Sequence, residues 1–396
     1  MIADRRVLVG VSGGIAIYKT CNVVRQLTEA GAAVDVVMTA SATEFVRPVT
    51  FEALSKRPVL TSLWQRDRAL AHIHLGQESD LILLAPTTAN ILAKAAHGIA
   101  DDLLTAILLA CEAPVLAAPA MNDRMWANPA TMRNVEELAA RGWQFVGPEV
   151  GNLAEGPSAR PGRMAEPEEI VAHSVRLIRS RTSALNGKRV LVTAGPTREQ
   201  VDPVRVISNP SSGRMGYAVA EAAFARGADV RLVTGPSQLA VPCGVDVARV
   251  ETTDELCATV GEYLGETDVL VMAAAPADYR PVAPSGQKLQ KTDGAFSIEV
   301  EPTTDVLMST LDRRPPGSVI VGFALESEDG LARARAKLER KQLDLIVLNM
   351  AREPGAGFET PSNRVSFISK DEVQELPLMP KLDVAERLLD RIETLL

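Results

Sequence analysis

The sequence predicts an α/β protein built from two doubly wound, mostly parallel Rossmann-like domains. Short unbroken apolar runs alternate with amphipathic stretches, the pattern of parallel strands covered by helices. That alternation occurs once in each half of the chain. The 396 residues are also more than one hydrophobic core ordinarily holds.

The elements follow in order. Val7-Leu8-Val9-Gly10-Val11 reads as a strand buried on both faces. Gly13-Gly14 follows, then a helix over about 15–30, stopped by Gly31. Further strands are expected at 34–38, 81–84 and 115–118, with helices over about 89–98 and 132–141. A charged helix ends near Arg179-Ser180-Arg181, and a polar stretch follows it. The expected division is therefore a first domain over 1–181, a linker over 182–187 and a second domain over 188–396. The second series has strands at 189–193, 230–234, 269–272, 319–321 and 345–348, and a helix over 214–225 closed by Gly227. The two openings, VLVGVSGG and VLVTAGPT, are alike, and shared architecture accounts for that as well as a repeat would.

Composition narrows the function. Aromatic residues are only 4%, too few for the stacking platforms of a single-strand nucleic-acid binder. A net charge of −8 opposes any broad phosphate-backbone interface, so no nucleic-acid partner is expected. The four Cys show no CxxC spacing and the four His no HExxH, so neither a disulfide scaffold nor a dedicated metal site is expected. No apolar run is long enough to span a membrane, and the start of the chain lacks a signal-peptide pattern. A cytoplasmic protein is the expectation.

In doubly wound sheets, ligands sit beyond the carboxyl ends of the strands. In the first half those ends read Ser12-Gly13-Gly14, Thr39-Ala40-Ser41, Pro86-Thr87-Thr88-Ala89-Asn90 and Pro119-Ala120-Met121-Asn122. Hydroxyls and backbone N–H groups at helix starts suit a phosphate, and the glycines permit close backbone approach. With no GxGxxG and no acid placed for a ribose, a mononucleotide such as a flavin fits better than NAD. Turns and N-caps use the same residues, so only the four ends together carry weight. His72 precedes the third strand and has the chemistry of a base near neutral pH.

These residues resemble the homo-oligomeric flavin-containing cysteine decarboxylases, in particular the decarboxylase half of the coenzyme A biosynthesis bifunctional proteins. The resemblance lies in GVSGGIAIYK, VMTASATEFVRPVTFEALS, His72-Ile73, LAPTTANILAKAAHGIADDLL and Pro119-Ala120-Met121-Asn122. It implies FMN held by Ser12, Gly13, Gly14, Thr39, Ser41, Thr87, Thr88, Asn90 and Met121. It gives His72 a catalytic role and Asn122 the substrate carboxylate. The flavin supplies the electron sink that an unactivated carboxylate lacks. The family pattern also places a proton-donating Cys in a Gly-rich clamp. Here the stretch reads Leu153-Ala154-Glu155-Gly156, with Glu155 where the Cys belongs and the clamp one residue longer. Either Glu155 serves as the acid or decarboxylation is impaired.

In the second half, Gly195-Pro196-Thr197 follows the first strand, and Ser208-Asn209-Pro210-Ser211-Ser212-Gly213 precedes a helix as a ready anion site. Ala273-Ala274-Ala275-Pro276-Ala277-Asp278 ends another strand. Lys288 and Lys291 lie in a polar segment that reads as a flap, and Lys337 and Lys341 share a helix face by spacing. Together with Val321-Gly322-Phe323-Ala324, Gly357-Phe358 and Asn363-Arg364-Val365, these resemble the phosphopantothenate–cysteine ligase half of the same family. The resemblance implies CTP bound by Met272, Ala273, Ala274, Asp278, Thr304, Asp305, Val306, Leu307, Phe323, Lys337 and Lys341. It also implies Lys288 closing from the flap and Asn209 stabilising an acyl-cytidylate. The flap departs from the family's Lys-x-Lys-Lys at Gln290. Mg²⁺ is expected with CTP near Asp278. The substrates implied are 4'-phosphopantothenate, cysteine and CTP, and the product is 4'-phosphopantetheine. The resemblance further implies trimeric flavin domains, dimeric ligase domains and a dodecamer. The alternative is an active ligase whose first domain binds flavin only as an oligomer-forming scaffold.

Overall fold

The computed structural model describes residues 2–64, 70–291, 296–326, 330–350 and 360–396. The chain forms two compact units, Met1–Arg181 and Thr182–Leu396.

The first unit contains β1 (Arg6–Val11), α1 (Ile17–Glu29), β2 (Ala33–Met38), α2 (Ala71–Glu78), β3 (Leu81–Thr87), α3 (Ala89–His97), α4 (Leu103–Ala110), β4 (Val115–Pro119), α5 (Pro129–Ala140) and β5 (Gln144–Phe145). A hairpin of β6 (Glu149–Leu153) and β7 (Gly156–Arg163) leads into α6 (Pro167–Arg179). The sheet order is β2-β1-β3-β4-β5, and every pairing is parallel. Successive side chains of a strand point to opposite faces. Val7, Val9 and Val11 accordingly pack with Val23 and Leu27 of α1 and Ile170 of α6. Leu8 packs on the other face with Ile82, Leu84 and Ile107. Burial on both faces is why these strands read as continuous apolar runs.

The second unit contains β8 (Arg189–Ala194), α7 (Arg214–Ala225), β9 (Asp229–Thr234), β10 (Asp246–Arg249), α8 (Thr253–Leu264), β11 (Val269–Met272) and β12 (Val319–Glu326). It continues with α9 (Gly330–Arg340), β13 (Leu345–Met350), β14 (Val365–Ile368), β15 (Val373–Glu375) and α10 (Lys381–Glu393). The sheet order is β10-β9-β8-β11-β12-β13-β14-β15. Pairing is parallel as far as β13, and β14 and β15 join antiparallel.

Two details differ from the sequence reading. Residues 182–187 are not a free linker. Leu185 is fully buried, Gly187 N–H donates to the Gly227 carbonyl at 3.1 Å, and Ser183 bonds Glu393. An apolar residue inside a polar stretch fastened it to the second unit. Strand β12 also runs past Val321, because Gly322 breaks the apolar run without breaking the strand. A Cβ there would meet Leu343 Cδ1 at 2.7 Å, so the position is small for packing reasons. Among the described residues, no helix is long and apolar enough to cross a membrane.

Two candidate active sites

The first sheet reverses its winding between β1 and β3, and a cleft of about 780 Å³ lies there. Ser12 ties the two strand ends together. Its hydroxyl donates to the Pro86 carbonyl at 2.7 Å and accepts from Thr88 N–H at 3.1 Å. Thr88 in turn caps α3. A Cβ on Gly13 would sit 2.6 Å from Ser41 Cβ, so only glycine lets the two loops approach. Gly13, Gly14, Thr88, Met121, Asn122 and Glu155 all line the cleft.

The hairpin docks on the end of β4. Met121 N–H donates to the Gly162 carbonyl at 3.0 Å, and a Cβ on Gly162 would meet the Met121 carbonyl at 2.6 Å. Ser158 donates to Asp123 at 2.8 Å. At the hairpin tip, Asn122 Nδ2 donates to Glu155 Oε2 at 2.9 Å. The residue that departs from the family pattern therefore touches the residue expected to hold the substrate.

Other predicted residues of the first half fall outside the cleft lining. Thr39 accepts from Ala42 N–H and lies 3.2 Å from Ser41 Oγ, so this pair shapes the loop beside Gly13. Thr87 is fully buried and donates to the Leu84 carbonyl at 2.8 Å. Its side chain faces the core, as a residue still inside β3 does. Asn90 is exposed on the first turn of α3. His72 is half-buried on α2 and does not line this cleft. Lys19 is a lining residue that sequence reasoning gave no role. It is buried at 8% exposure and donates to the Met164 carbonyl and to Glu166, each at 3.0 Å. Its only signal was its place at the end of GVSGGIAIYK.

The second cleft, of about 540 Å³, opens where the second sheet reverses between β8 and β11. Ala275 N–H donates to the Gly195 carbonyl at 2.9 Å, and Ala274 N–H donates to Thr193 Oγ1 at 3.1 Å. Asn209 Nδ2 donates to the carbonyls of Pro276 at 2.8 Å and Ala275 at 3.3 Å, which fixes that side chain against the end of β11. Gly213 (φ +79°) needs the left-handed region that glycine tolerates, and it opens α7. Met272, Ala273, Ala274, Asp278, Phe323 and Lys341 line the cleft with Asn209. So do Thr304, Asp305, Val306 and Leu307 at the start of a short helix.

The predicted lysines separate. Helix α9 ends at Arg340, so Lys341 leaves the helix and pairs with Asp305 at 2.9 Å at the cleft. Lys337 stays on the helix and pairs with Glu326 at 2.6 Å, outside the lining. Burial pushes the Glu326 carboxyl up, but Lys337 and then Arg333 outweigh it and hold the group below its ordinary value. Lys288 and Lys291 are exposed. Their segment is pinned by Ser285 N–H to the Val201 carbonyl at 2.9 Å and by Leu289 N–H to Asp202 at 3.1 Å. Gly357 and Phe358 lie outside the described residues. Asn349 and Lys381 line the cleft although their sequence positions gave no such signal, and so does Asn363 of the Asn363-Arg364-Val365 stretch.

Comparison with known proteins matches each unit to a family. The family described as Flavoprotein matches residues 1–179, and the DNA/pantothenate metabolism flavoprotein C-terminal domain matches 185–396. Over 400 residues the chain is 44% identical to the coenzyme A biosynthesis bifunctional protein CoaBC of Bacillus subtilis (strain 168), covering 100% of this chain and 98% of that protein. The chain belongs to the CoaBC family. The CoaBC of Mycobacterium tuberculosis (strain H37Rv) is 46% identical, covering 99% of this chain and 97% of its own. A crystal structure of a C-terminal domain of CoaBC is 39% identical, covers 54% of this chain and 97% of that one, and has a TM-score of 0.45. The CoaBC relatives thus extend across both clefts.

Proposed function

We propose that the second unit joins cysteine to 4'-phosphopantothenate at the expense of CTP, and that the first unit decarboxylates the product to 4'-phosphopantetheine. The observation that carries this is full-length similarity to CoaBC proteins together with one built cleft in each unit.

In the second cleft, CTP lies against the ends of β11 and β12, with Thr304–Leu307 and Lys341 around it and Mg²⁺ accompanying it near Asp278. The phosphopantothenate carboxylate attacks the α-phosphate and pyrophosphate leaves. Asn209, held by two backbone carbonyls, is positioned to stabilise the acyl-cytidylate. The cysteine amine then attacks the acyl carbon and CMP leaves. Lys288 joins when its segment moves over the cleft. Lys337 exchanges Glu326 for the triphosphate.

In the first cleft, the residues fit FMN. The Thr88 hydroxyl proton and the first N–H groups of α3 are available to a phosphate, Ser12 fixes that turn through Pro86 and Thr88, and Gly13-Gly14 leaves the backbone bare. The cleft volume lies in the range of roughly 300–1,000 Å³ of small-molecule sites. FMN, when bound, supplies the two-electron chemistry that lets an unactivated carboxylate leave. Asn122 orients that carboxylate. Glu155, on the hairpin tip beside it, holds the proton that the product carbon receives. This arrangement favours a working decarboxylase over a scaffold.

His72 stands outside the cleft of its own chain, so a second copy supplies it, in trimeric flavin units joined through dimeric ligase units. Such an enzyme works in the cytoplasm.

The test is a time course with 4'-phosphopantothenate, cysteine, CTP and Mg²⁺, followed by mass. CMP, pyrophosphate, CO2 and phosphopantetheine are expected. A stall at phosphopantothenoylcysteine removes the decarboxylase, and absence of CMP removes the ligase.

A further inference from the structure

We propose that Lys381 and Arg214 select the phosphorylated acyl substrate by taking its terminal phosphate. This rests on the ligase reading of the second cleft.

Lys381 is the first residue of α10 and Arg214 the first of α7. The two helices pack on each other, and both side chains line the cleft that holds Asn209. Each helix start carries partial positive charge and N–H groups without helical partners. Two cations and two helix starts thus border one cleft in a chain of net charge −8. Arg214 makes no ion pair among the described residues. Lys381 is only 6% exposed. Burial, and then the charge of Arg214, bring its ammonium down to about 8, so the two cations repel across the cleft. An anion between them removes that repulsion.

A second observation points to the same ligand. Ser362-Asn363 pairs antiparallel with Met379-Pro380, and Lys381 N–H donates to the Pro361 carbonyl at 3.0 Å. This pairing sets Asn363 opposite Met379, two residues before Lys381, and both Asn363 and Lys381 line the cleft. Asn363 is 4% exposed and lines the cleft, yet its Oδ1 has no hydrogen-bond partner among the described residues. Asn349 Oδ1, at the end of β13, is in the same condition. A buried acceptor without a donor is costly. The ligand therefore carries donors near its anionic end. Phosphopantothenate does, through its hydroxyl and amide N–H. Lys341, Asp305, Thr304 and Leu307, the residues proposed to meet the nucleotide, line the same cleft, and Lys341 is already paired with Asp305.

The experiment measures kcat/KM for 4'-phosphopantothenate and for pantothenate as pyrophosphate release in the full-length protein. It uses Lys381→Met, Lys381→Arg and Arg214→Gln, the last at an exposed position where folding is not at stake. Loss of a charged hydrogen bond predicts a fall of about 10- to 100-fold for the phosphorylated acid in Lys381→Met. Pantothenate should be little affected, the KM for CTP and cysteine unchanged, and Lys381→Arg close to wild type. Arg214→Gln should shift in the same direction. Equal losses for both acids, or a raised KM for cysteine or CTP instead, overturn the assignment. A wild-type protein that releases no pyrophosphate with either acid overturns the ligase reading itself.

Discussion

The two clefts occupy the same topological place and are built from opposite materials. Each opens where a parallel sheet reverses its winding. The first is tied by hydroxyls and backbone groups, with Ser12 bridging two strand ends and a hairpin laid over the side. The second gathers Lys341, Lys381 and Arg214 around backbone carbonyls and amides. A cofactor that stays bound needs shape and neutral donors. Phosphates that arrive and leave need mobile positive charge. The clefts differ in completeness too. The second assembles nearly its whole predicted set from one chain, whereas the first leaves His72 outside.

The contrast can be broken most severely at Asn209. Asn209→Asp puts a negative charge where the acyl-cytidylate forms, and CMP release should fall by about 10²- to 10³-fold. Decarboxylation of supplied phosphopantothenoylcysteine should stay at the wild-type rate. Parallel loss of both rates would mean that the units are not chemically separate.

Asn122→Leu is the mirror experiment. CO2 release should drop by about 100-fold with CMP release intact. Glu155→Gln should slow CO2-linked product formation by at least about 100-fold if its proton is the one delivered. Full turnover in Glu155→Gln would reduce Glu155 to a hydrogen-bond partner of Asn122.

The incomplete first cleft allows a sharper comparison. Chains carrying His72→Asn and chains carrying Asn122→Leu should each be inactive as decarboxylases. Co-expressed, they should regain about a quarter of wild-type activity, because random pairing puts both intact residues in one site in that share of cases. No recovery would place His72 and Asn122 in the same chain's site.

The smallest effect concerns stability of the first unit. Burial, then Glu149 and Glu166, raise the Glu169 carboxyl from 4.5 to about 7. An acid raised on folding prefers its proton in the native state. Its stabilising preference is intact at low pH and is lost as pH rises from the unfolded value through about 7. Glu169→Gln should therefore raise the melting temperature of the first unit by about 1–2 °C at pH 8, a modest figure because the group is only partly shielded from water. Below pH 4.5 the variant and the wild type should coincide.

What was legible in the sequence follows from how far apart the cooperating residues are. The strands from Arg6 to Val11 and from Arg189 to Ala194 were readable because burial on both faces leaves a local apolar run. Helix α7 was readable because Gly213 and Gly227 punctuate it. The Lys337–Lys341 spacing placed both on one side but could not reveal that Glu326 and Asp305 divide them. Lys381 was silent, since strand pairing across the sequence brings it back to the Pro361–Asn363 segment. Residues 182–187 read as polar, yet one buried side chain, Leu185, ties the segment to the second unit.

The central claim is that one chain carries two chemically independent sites joined by a released product. The direct measurement combines the Asn209→Asp and Asn122→Leu proteins in one tube with 4'-phosphopantothenate, cysteine, CTP and Mg²⁺, each having first been shown to retain its other half-reaction. Phosphopantetheine is expected from the mixture and none from either protein alone. A mixture that makes none, while each retained half-reaction runs, would contradict that independence.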